Sequence, residues 1–298
     1  MYGRLDFERD GRDWPNRAAS RFVRAAGMDW HVQVMGRGPV ILFLHGTGAS
    51  SHSYGDLLPR LARDFTIVNP DLPGHGFTQK PPHEFLSLPG MARAIASLLR
   101  ELSLTPDIAV GHSAGAAVAI QMTLSKLIAP RAIISLNGAL LPLGGAAGAV
   151  FAPLAKLMVQ IPFVPGLFAR RARDPQAIQR LVDGTGSTLD RKGVDYYRRL
   201  AGTPSHVEAA LGMMANWDLR RFSEILPRLK TPLMLVVGSN DKTIRPSDAQ
   251  RVKRILPHAE IVTLRGLGHL AHEERPEEVA VLIRKAAQDA GLHPAATD

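Results

Sequence analysis

The sequence predicts an α/β protein with a mostly parallel central sheet, helices on both faces and an inserted, mainly helical cap. Short apolar runs alternate with stretches of helical periodicity along most of the 298 residues. Such alternation is typical of parallel sheets built from strand, helix, strand units. The alternation stops near Gly138 and resumes near Pro232, so about 90 residues are inserted between strands of one sheet. An insertion of this kind covers the sheet edge at which ligands bind.

Six short apolar runs predict the strands. Residues 39–44 are apolar and partly β-branched and stop at a glycine-rich turn, as a buried parallel strand does. Residues 65–69 predict the next strand, which the turn Asp71-Leu72-Pro73-Gly74-His75-Gly76 follows. The remaining predicted strands are residues 107–110, 131–136, 233–237 and 260–264.

Helical periodicity follows most of these strands. Residues 54–63 place Leu57, Leu58 and Leu61 on one face, and the Ala-rich residues 114–127 predict a helix directly after the third strand. The other predicted helices are residues 88–102, 247–255 and 276–290. The predicted division is an N-terminal extension over 1–24, a core over 25–138 and 226–292, and a cap over 139–225, with a frayed tail at 293–298.

Composition narrows the range of functions. The chain has no cysteine, which excludes disulfides, thiolate metal sites and cysteine nucleophiles. The first 25 residues alternate in charge without an apolar run, so we expect no secretory signal and a cytoplasmic location. The net charge of +9 suits an anionic partner, but only 6% of residues are aromatic and no nucleic-acid-binding motif occurs. We therefore expect no nucleic-acid partner.

The pentapeptide Gly111-His112-Ser113-Ala114-Gly115 lies between a predicted buried strand and a helix of small residues. Gly-x-Ser-x-Gly in this position is the pattern of a nucleophile elbow, in which a sharp turn displays the serine hydroxyl above the sheet. The alternative is a tight turn without a chemical role. The strand-to-helix context favours Ser113 as a nucleophile.

Two backbone N–H groups are candidates for an oxyanion hole. The N–H of Ala114 would lie at a helix N-terminus, where donors lack partners and the helix dipole favours negative charge. The second candidate is the N–H of Thr47 in the turn His45-Gly46-Thr47-Gly48, which directly follows the first predicted strand. The turn could also be a plain connection, although its pairing with the elbow favours the functional interpretation.

A nucleophilic serine needs a base, and the base needs an orienting carboxylate. Asp241 follows the fifth predicted strand, and His269 follows the sixth. The chain order Ser, Asp, His and the shared sheet edge predict that His269 takes the proton of Ser113 while Asp241 orients His269.

Other residues compete for these roles. His272 is the nearest alternative base, but we expect it to lie on the next helix with a structural role. His45 and His112 are expected to stabilise turns or line the pocket, and His75 to stabilise its turn. No metal-ligand spacing occurs, so neither a metal nor another cofactor is predicted.

The chemistry is further restricted by two positions. The nucleophile position is serine rather than aspartate, which disfavours an alkyl-enzyme ester. Residue 137, after the fourth predicted strand, is Asn rather than an acid, so the acid is better assigned to Asp241. The predicted reaction is acyl transfer.

The inserted segment is apolar first and basic afterwards. Residues 139–169 contain one charged residue, Lys156, but prolines and the pair Gly144-Gly145 argue against a membrane-spanning helix. Residues 140–230 hold 13 Lys or Arg against 7 Asp or Glu. Two interpretations stay open, a surface or pocket for a lipophilic, acidic ligand or an anionic membrane, and an ordinary lid with a solvated charged face.

The motifs at 45–48, 71–76 and 111–115, with Asp241 and Gly268-His269, resemble the α/β-hydrolase superfamily. More narrowly, Asp13-Trp14-Pro15-Asn16-Arg17, the run 45–59 with Ser50-Ser51-His52-Ser53, and residues 71–78 resemble the magnesium-chelatase accessory hydrolases of bacteriochlorophyll biosynthesis. The resemblance covers nearly the whole chain, including the apolar insertion. It implies the α/β-hydrolase fold and work near magnesium insertion into protoporphyrin.

Three functions follow from the residues and the resemblance together. The first is a serine hydrolase acting on a lipophilic ester, with a tetrapyrrole as the substrate class that would suit the cap. The second is a porphyrin-binding or chelatase-assisting protein that uses the fold as a scaffold. The third is a general carboxylesterase. A contact with the magnesium chelatase and a peripheral contact with an anionic membrane are further expectations.

Overall fold

A computed structural model describes residues 3–142, 161 and 163–292. Most of the apolar first part of the predicted cap, residues 143–160 and 162, and the predicted tail at 293–298 lie outside the described residues. Within the described residues the chain forms one eight-stranded sheet in the order β1-β2-β4-β3-β5-β6-β7-β8. The strands are β1 (Ser20–Ala25), β2 (Met28–Met35), β3 (Val40–Leu44), β4 (Thr66–Pro70), β5 (Ile108–His112), β6 (Ala132–Leu136), β7 (Leu233–Gly238) and β8 (Glu260–Leu264).

The sheet is parallel from β4 to β8 and antiparallel at one edge. β1 pairs with β2, and β2 with β4, in antiparallel register, while the other neighbours are parallel. The six strands predicted from apolar runs are confirmed to within one or two residues. The hairpin of β1 and β2 was not predicted, and the predicted boundary between residues 24 and 25 falls inside β1.

Helices cover both faces of the sheet. Alternate residues of β3 show this arrangement, because Leu42 and Leu44 belong to one apolar cluster and Ile41 and Phe43 to the other. The helices outside the insertion are α1 (Phe7–Asp10), α2 (Leu58–Leu61), α3 (Leu88–Glu101), α4 (Ala114–Leu124), α10 (Pro246–Ile255), α11 (Ala271–Glu274) and α12 (Pro276–Asp289). Helices on both faces of a mostly parallel sheet confirm the predicted fold class.

The helix predicted over residues 54–63 is wrong in its extent. The structure has a 3₁₀ turn, Ser51–Tyr54, and then only the four-residue α2. Pro59 lacks the N–H that would continue a helix from residue 54, and it lies in the first turn of α2, where that N–H has no intrahelical partner. The predicted apolar face is nevertheless buried, since Leu57, Leu58 and Leu61 are inaccessible to solvent.

The insertion between β6 and β7 is helical where the structure describes it. It contains α5 (Val164–Arg171), α6 (Pro175–Gly184), α7 (Arg191–Ala201), α8 (Pro204–Ala215) and α9 (Leu219–Ile225). The N-terminal segment packs against it, since Leu5 and Trp14 share an apolar cluster with Tyr196 and Leu200 of α7. Among the described residues, no helix combines the length and apolarity needed to cross a membrane.

Candidate active site

Ser113 is the single residue between β5 and α4. Its backbone has φ 51° and ψ −117°, a region that non-glycine residues occupy only under strain. Three backbone hydrogen bonds hold this turn. The N–H of Ser113 donates to Leu136 O at 3.0 Å, and its carbonyl accepts from Ala116 N at 3.2 Å and Ala139 N at 3.0 Å. Ser113 as a whole residue is partly exposed to solvent.

The glycines of the pentapeptide allow strand and helix to approach closely. A Cβ on Gly115 would overlap the carbonyl of Leu44 at the end of β3, and one on Gly111 would overlap the backbone of Ala116. Any side chain at either position would therefore push α4 away from the sheet. Because β5 and α4 approach each other so closely, the backbone must turn sharply at Ser113, the one residue between them.

Asp241 and His269 lie together at the same edge of the sheet. Asp241 follows β7 and His269 follows β8, and Nδ1 of His269 lies 2.8 Å from Oδ2 of Asp241. Both side chains are buried. Because a carboxylate only accepts, Nδ1 of His269 carries the hydrogen and Nε2 is left as the basic atom. The two residues that the sequence paired are thus in contact.

Asn137, at the end of β6, holds the carboxylate from the other side. Its Nδ2 donates to Oδ2 of Asp241 at 2.7 Å and lies 3.4 Å from Gly268 O. The other carboxylate oxygen accepts from the N–H groups of Thr243 and Ile244, at 2.7 and 2.8 Å. The sequence showed only that position 137 is not an acid. The sequence signal that could have indicated a role for Asn137 is its position directly after a parallel strand.

The turn that carries Thr47 lies beside Ser113. A Cβ on Gly46 would be 3.0 Å from Cβ of Ser113 and 3.0 Å from Nδ1 of His112. Ala114 is the first residue of α4, so its N–H has no intrahelical acceptor. The structure therefore brings the turn of Thr47, the N–H of Ala114 and Ser113 to one place.

His45 fixes the base of the Thr47 turn. Its Nε2 accepts the N–H of Leu72 at 2.9 Å, so Nδ1 must carry the hydrogen that is donated to Gly46 O at 2.8 Å. Burial lowers the pKa of His45, although the nearby Asp71 opposes this shift. His45 is thus held neutral by two backbone contacts, in agreement with the turn-stabilising role expected from the sequence.

The histidines that compete with His269 are also engaged in structural contacts. Nε2 of His112 donates to His269 O at 3.0 Å, and Nδ1 of His75 donates to Pro73 O at 3.1 Å. Burial lowers the pKa of both well below its usual value. His272 lies on α11 with Nε2 2.8 Å from Ser53 Oγ, and burial lowers its pKa to about 3. A group that resists protonation so strongly is a poor general base at neutral pH.

A buried contact between a histidine and a carboxylate behind the site was not predicted. Nδ1 of His31 on β2 lies 2.8 Å from Oδ2 of Asp71, and both side chains are inaccessible to solvent. Asp71 also accepts the N–H of Ser51 at 2.6 Å and that of Phe77 at 2.8 Å. Burial would raise the pKa of Asp71, but His31 and these donors hold it well below its usual value.

A second unpredicted cluster joins the insertion to the core. Oε1 of Glu273 accepts hydrogen bonds from Tyr197 of α7 and from Ser53, each at 2.6 Å. Burial raises the pKa of Glu273 to about 7. These residues lie far apart in the chain, so spacing gave no signal for their contact.

Within residues 3–142, 161 and 163–292, no group of three or more His, Asp or Glu side chains is arranged to hold a metal ion. His45 forms hydrogen bonds to backbone groups through both of its ring nitrogens, and His112 forms one through Nε2.

Comparison with known proteins gives the family. The pattern of the Alpha/beta hydrolase family matches residues 41–282. The chain is 37% identical over 273 residues to the Magnesium-chelatase 30 kDa subunit of Rhodobacter capsulatus, covering 91% of this chain and 95% of that protein.

Solved structures show the same fold. An alpha/beta hydrolase fold protein from Burkholderia ambifaria superposes with a TM-score of 0.76 at 20% identity, covering 96% of this chain and all of that one. A thermophilic esterase from Thermogutta terrifontis gives 0.73 at 23% identity, covering 91% of this chain and 99% of that one. At such identities the likeness concerns the fold alone.

Proposed function

Because the chain belongs to the alpha/beta hydrolase family, we propose that it is a serine hydrolase that cleaves a lipophilic carboxylic ester at Ser113. The single observation that carries this proposal is the strained elbow of Ser113 at the sheet edge that also holds the Asp241–His269 pair, 2.8 Å apart. Strain of this kind is retained where a displayed hydroxyl is needed.

In the first half of the reaction, Oγ of Ser113 attacks the ester carbonyl while Nε2 of His269 accepts the hydroxyl proton. Asp241 holds Nδ1–H and stabilises the imidazolium that forms. The N–H groups of Thr47 and Ala114 bind the negative oxygen of the tetrahedral intermediate, and the N-terminus of α4 adds a favourable dipole. Collapse of the intermediate releases the alcohol, which takes the proton from His269.

In the second half, water attacks the acyl-enzyme carbonyl and gives a proton to His269. The same two N–H groups bind the second tetrahedral oxygen. Collapse then breaks the bond to Ser113, whose oxygen recovers the proton from His269 as the carboxylic acid leaves. No other co-reactant is required, because water supplies both the hydroxyl and the proton.

Hydrolysis of nitrophenyl esters with short and medium acyl chains tests this proposal. We expect wild-type protein to turn over at least one such ester and Ser113→Ala to lose activity by roughly 10³-fold or more, since the nucleophile is gone. His258→Gln is a matched control, because His258 is exposed and contacts Thr231 O away from the site. An unchanged rate in Ser113→Ala would contradict the proposal.

The relative from Rhodobacter capsulatus favours a role in (bacterio)chlorophyll biosynthesis near the magnesium chelatase step. We propose that the ester is carried by a lipophilic tetrapyrrole and that the protein contacts the chelatase. The identity of 37% over 91% of the chain supports this placement. The alternative within the same pathway is a non-catalytic porphyrin-binding or chelatase-assisting protein on a hydrolase scaffold.

Complementation separates these two roles. A Rhodobacter capsulatus strain that lacks its Magnesium-chelatase 30 kDa subunit would receive either the wild-type chain or Ser113→Ala. Catalysis predicts that only the wild-type chain restores pigment. Restoration by both variants would support the scaffold role and contradict the catalytic one.

A peripheral contact with an anionic membrane is proposed for α5. Phe163, Leu167 and Phe168 at this helix are exposed by 71%, 61% and 48%, and Arg170 and Arg171 follow in its last turn. Exposed apolar and basic side chains together suit an anionic lipid surface. Flotation with phosphatidylglycerol vesicles, compared with phosphatidylcholine vesicles, tests this contact. Phe168→Ser with Leu167→Ser should abolish binding, and equal binding to both lipids would contradict the electrostatic part.

A further inference from the structure

One face of the cap helix α8 lies on the two loops that follow β3 and β4. Its residues His206, Ala209 and Met213 are spaced by three and four, which places them on the same side of a helix. Ala209 packs so closely on Gly74 that a Cβ there would be 2.6 Å from the Ala209 Cβ. Sδ of Met213 accepts a hydrogen bond from Oγ1 of Thr47 at 3.4 Å.

His206 joins these two loops through its two ring nitrogens. Nε2 lies 3.0 Å from Gly48 O, and Nδ1 lies 3.0 Å from Gly76 N. A carbonyl can only accept and a backbone N–H can only donate, so Nε2 carries the hydrogen and Nδ1 is unprotonated. Both contacts require the neutral ring in this one tautomer.

The surroundings of His206 favour that neutral form. The side chain is 2% exposed, and the ring of His75 packs edge-on at 5.1 Å between centroids. Burial lowers the pKa of His206 to about 4, while the contact with Gly48 O and the more distant Asp71 partly oppose this shift. The ring therefore keeps both hydrogen bonds at neutral pH.

We propose that His206 is a positioning residue for the oxyanion loop, residues 46–48, so that the cap helix sets the direction of the Thr47 N–H. The inference rests on the proposed function. Gly48 O is the anchor on one side of Thr47, and His45 bonded to Gly46 O is the anchor on the other. His45 belongs to the core and His206 to the cap, so the loop is held on both sides of Thr47 only while α8 is seated.

Two replacements of His206 distinguish the effect of its hydrogen bonds from the effect of its side-chain volume. His206→Phe keeps a planar ring but leaves Gly48 O and the buried Gly76 N–H without their partner, and an unsatisfied buried polar group is costly. The loop is then expected to turn toward another donor. His206→Gln retains one donor and one acceptor on its amide and should restore much of the original loop geometry.

NMR of the full chain tests the inference without reference to catalysis. In the wild-type protein at pH 7, ¹⁵N shifts should show His206 as the neutral Nε2–H tautomer, and His206→Phe should shift the amide signals of Thr47 and Gly48. The opposite tautomer, or unmoved Thr47 and Gly48 signals in His206→Phe, would overturn the inference. Where the Phe variant does not fold, the opposite tautomer in the wild-type protein would still overturn the inference.

Kinetics with a nitrophenyl ester tests the same inference at the level of rate. His206→Phe should lower kcat by roughly 10- to 100-fold with KM within about twofold, since a misdirected donor costs less than a deleted one. His206→Gln should recover most of kcat, and His258→Gln should match the wild type. An unchanged kcat in His206→Phe would overturn the inference. A wild-type protein without esterase activity would instead contradict the proposed function, and the NMR result would still decide on His206.

Discussion

Asp241 is held so that only one of its oxygens faces His269. Oδ1 accepts two backbone N–H groups from the turn after β7, and Oδ2 is shared by His269 and Asn137. Donors on both sides of a carboxylate fix its plane, and the plane fixes the ring of His269. We therefore expect Asn137 to act as a positioning residue, through Asp241 and His269.

The role of Asn137 can be tested by Asn137→Ala. We expect kcat for an ester to fall roughly 10-fold with little change in KM, because a hydrogen bond to a charged group contributes about 1.5 to 3 kcal/mol. Asn216→Ala, which removes a similar amide bonded to Gly212 O in α8, controls for loss of packing. Equal rates for Asn137→Ala and the wild type would contradict the positioning role.

The surroundings of Glu273 disfavour the ionised form of its side chain. Burial raises its pKa to about 7 from an ordinary value of 4.5. The folded protein therefore binds this proton more tightly than the unfolded chain. The resulting stabilisation is fully present below about pH 4.5 and is lost as the pH rises through about 7.

Glu273→Gln should remove this pH dependence. Its amide oxygen can still accept from Ser53 and Tyr197 but cannot ionise. The free energy of unfolding of the variant relative to wild type should rise by roughly 2 to 4 kcal/mol between pH 4.5 and pH 8. Urea denaturation at several pH values measures this difference, and parallel pH curves for both proteins would contradict it.

At the scale of elements, the antiparallel hairpin braces the loops of the site. His31 on β2 contacts Asp71 after β4, and Asp71 in turn holds the N–H of Ser51 in the loop after β3. The buried carboxylate of Asp71 thus links β2 to the loops that follow β3 and β4. The loops after β3 and β4 therefore owe their shape partly to a strand that carries none of the proposed catalytic residues.

His31→Phe tests this bracing. The ring of His31 packs among Phe7, Phe22 and Phe77, so a phenyl group fits the site while the contact with Asp71 is lost. We expect a loss of about 3 kcal/mol in unfolding free energy, because a buried charge loses its partner. Asp64→Asn, which breaks the outer pair with Arg284, should cost less than about 1 kcal/mol. Similar losses of unfolding free energy in both variants would contradict the bracing role of His31.

Strands that consist of short apolar runs could be predicted from the sequence, whereas the strand that buries polar side chains could not. β3 to β8 are short apolar runs, and each was found. β2 buries His31 and Gln33 beside Trp30 and Val32, so neither an apolar run nor an alternation marks it. Its polar side chains are satisfied by residues distant in sequence, which no local pattern records.

At the scale of the whole molecule, topology explains how the sequence could predict that residues 113, 241 and 269 lie at one edge of the sheet. Parallel strands end at one edge, so residues that follow β5, β7 and β8 converge whatever their spacing in the chain. Asp241 and His269 meet as the sequence predicted. Asn137, Glu273 and His206 were missed because their roles depend on contacts between core and cap or on a neighbouring loop.

The inserted cap completes this arrangement. α8 contacts the oxyanion loop, and Tyr197 of α7 contacts Glu273 beside His272. The N-terminal segment joins the same assembly, since Tyr196 Oη donates to Asp13 O at 2.7 Å. Core, cap and N-terminal segment are therefore linked by buried polar contacts as well as by apolar packing.

The most direct test of the central claim is the site of reaction with a fluorophosphonate. Wild-type protein at pH 7.5 is treated with the probe, and intact mass and peptide mapping identify the modified residue. We expect one phosphonyl group, on Ser113, and no modification of Ser113→Ala or of urea-unfolded wild type, since reactivity requires the assembled site. Folded wild-type protein that remains unmodified, or one modified at another residue, would contradict that claim.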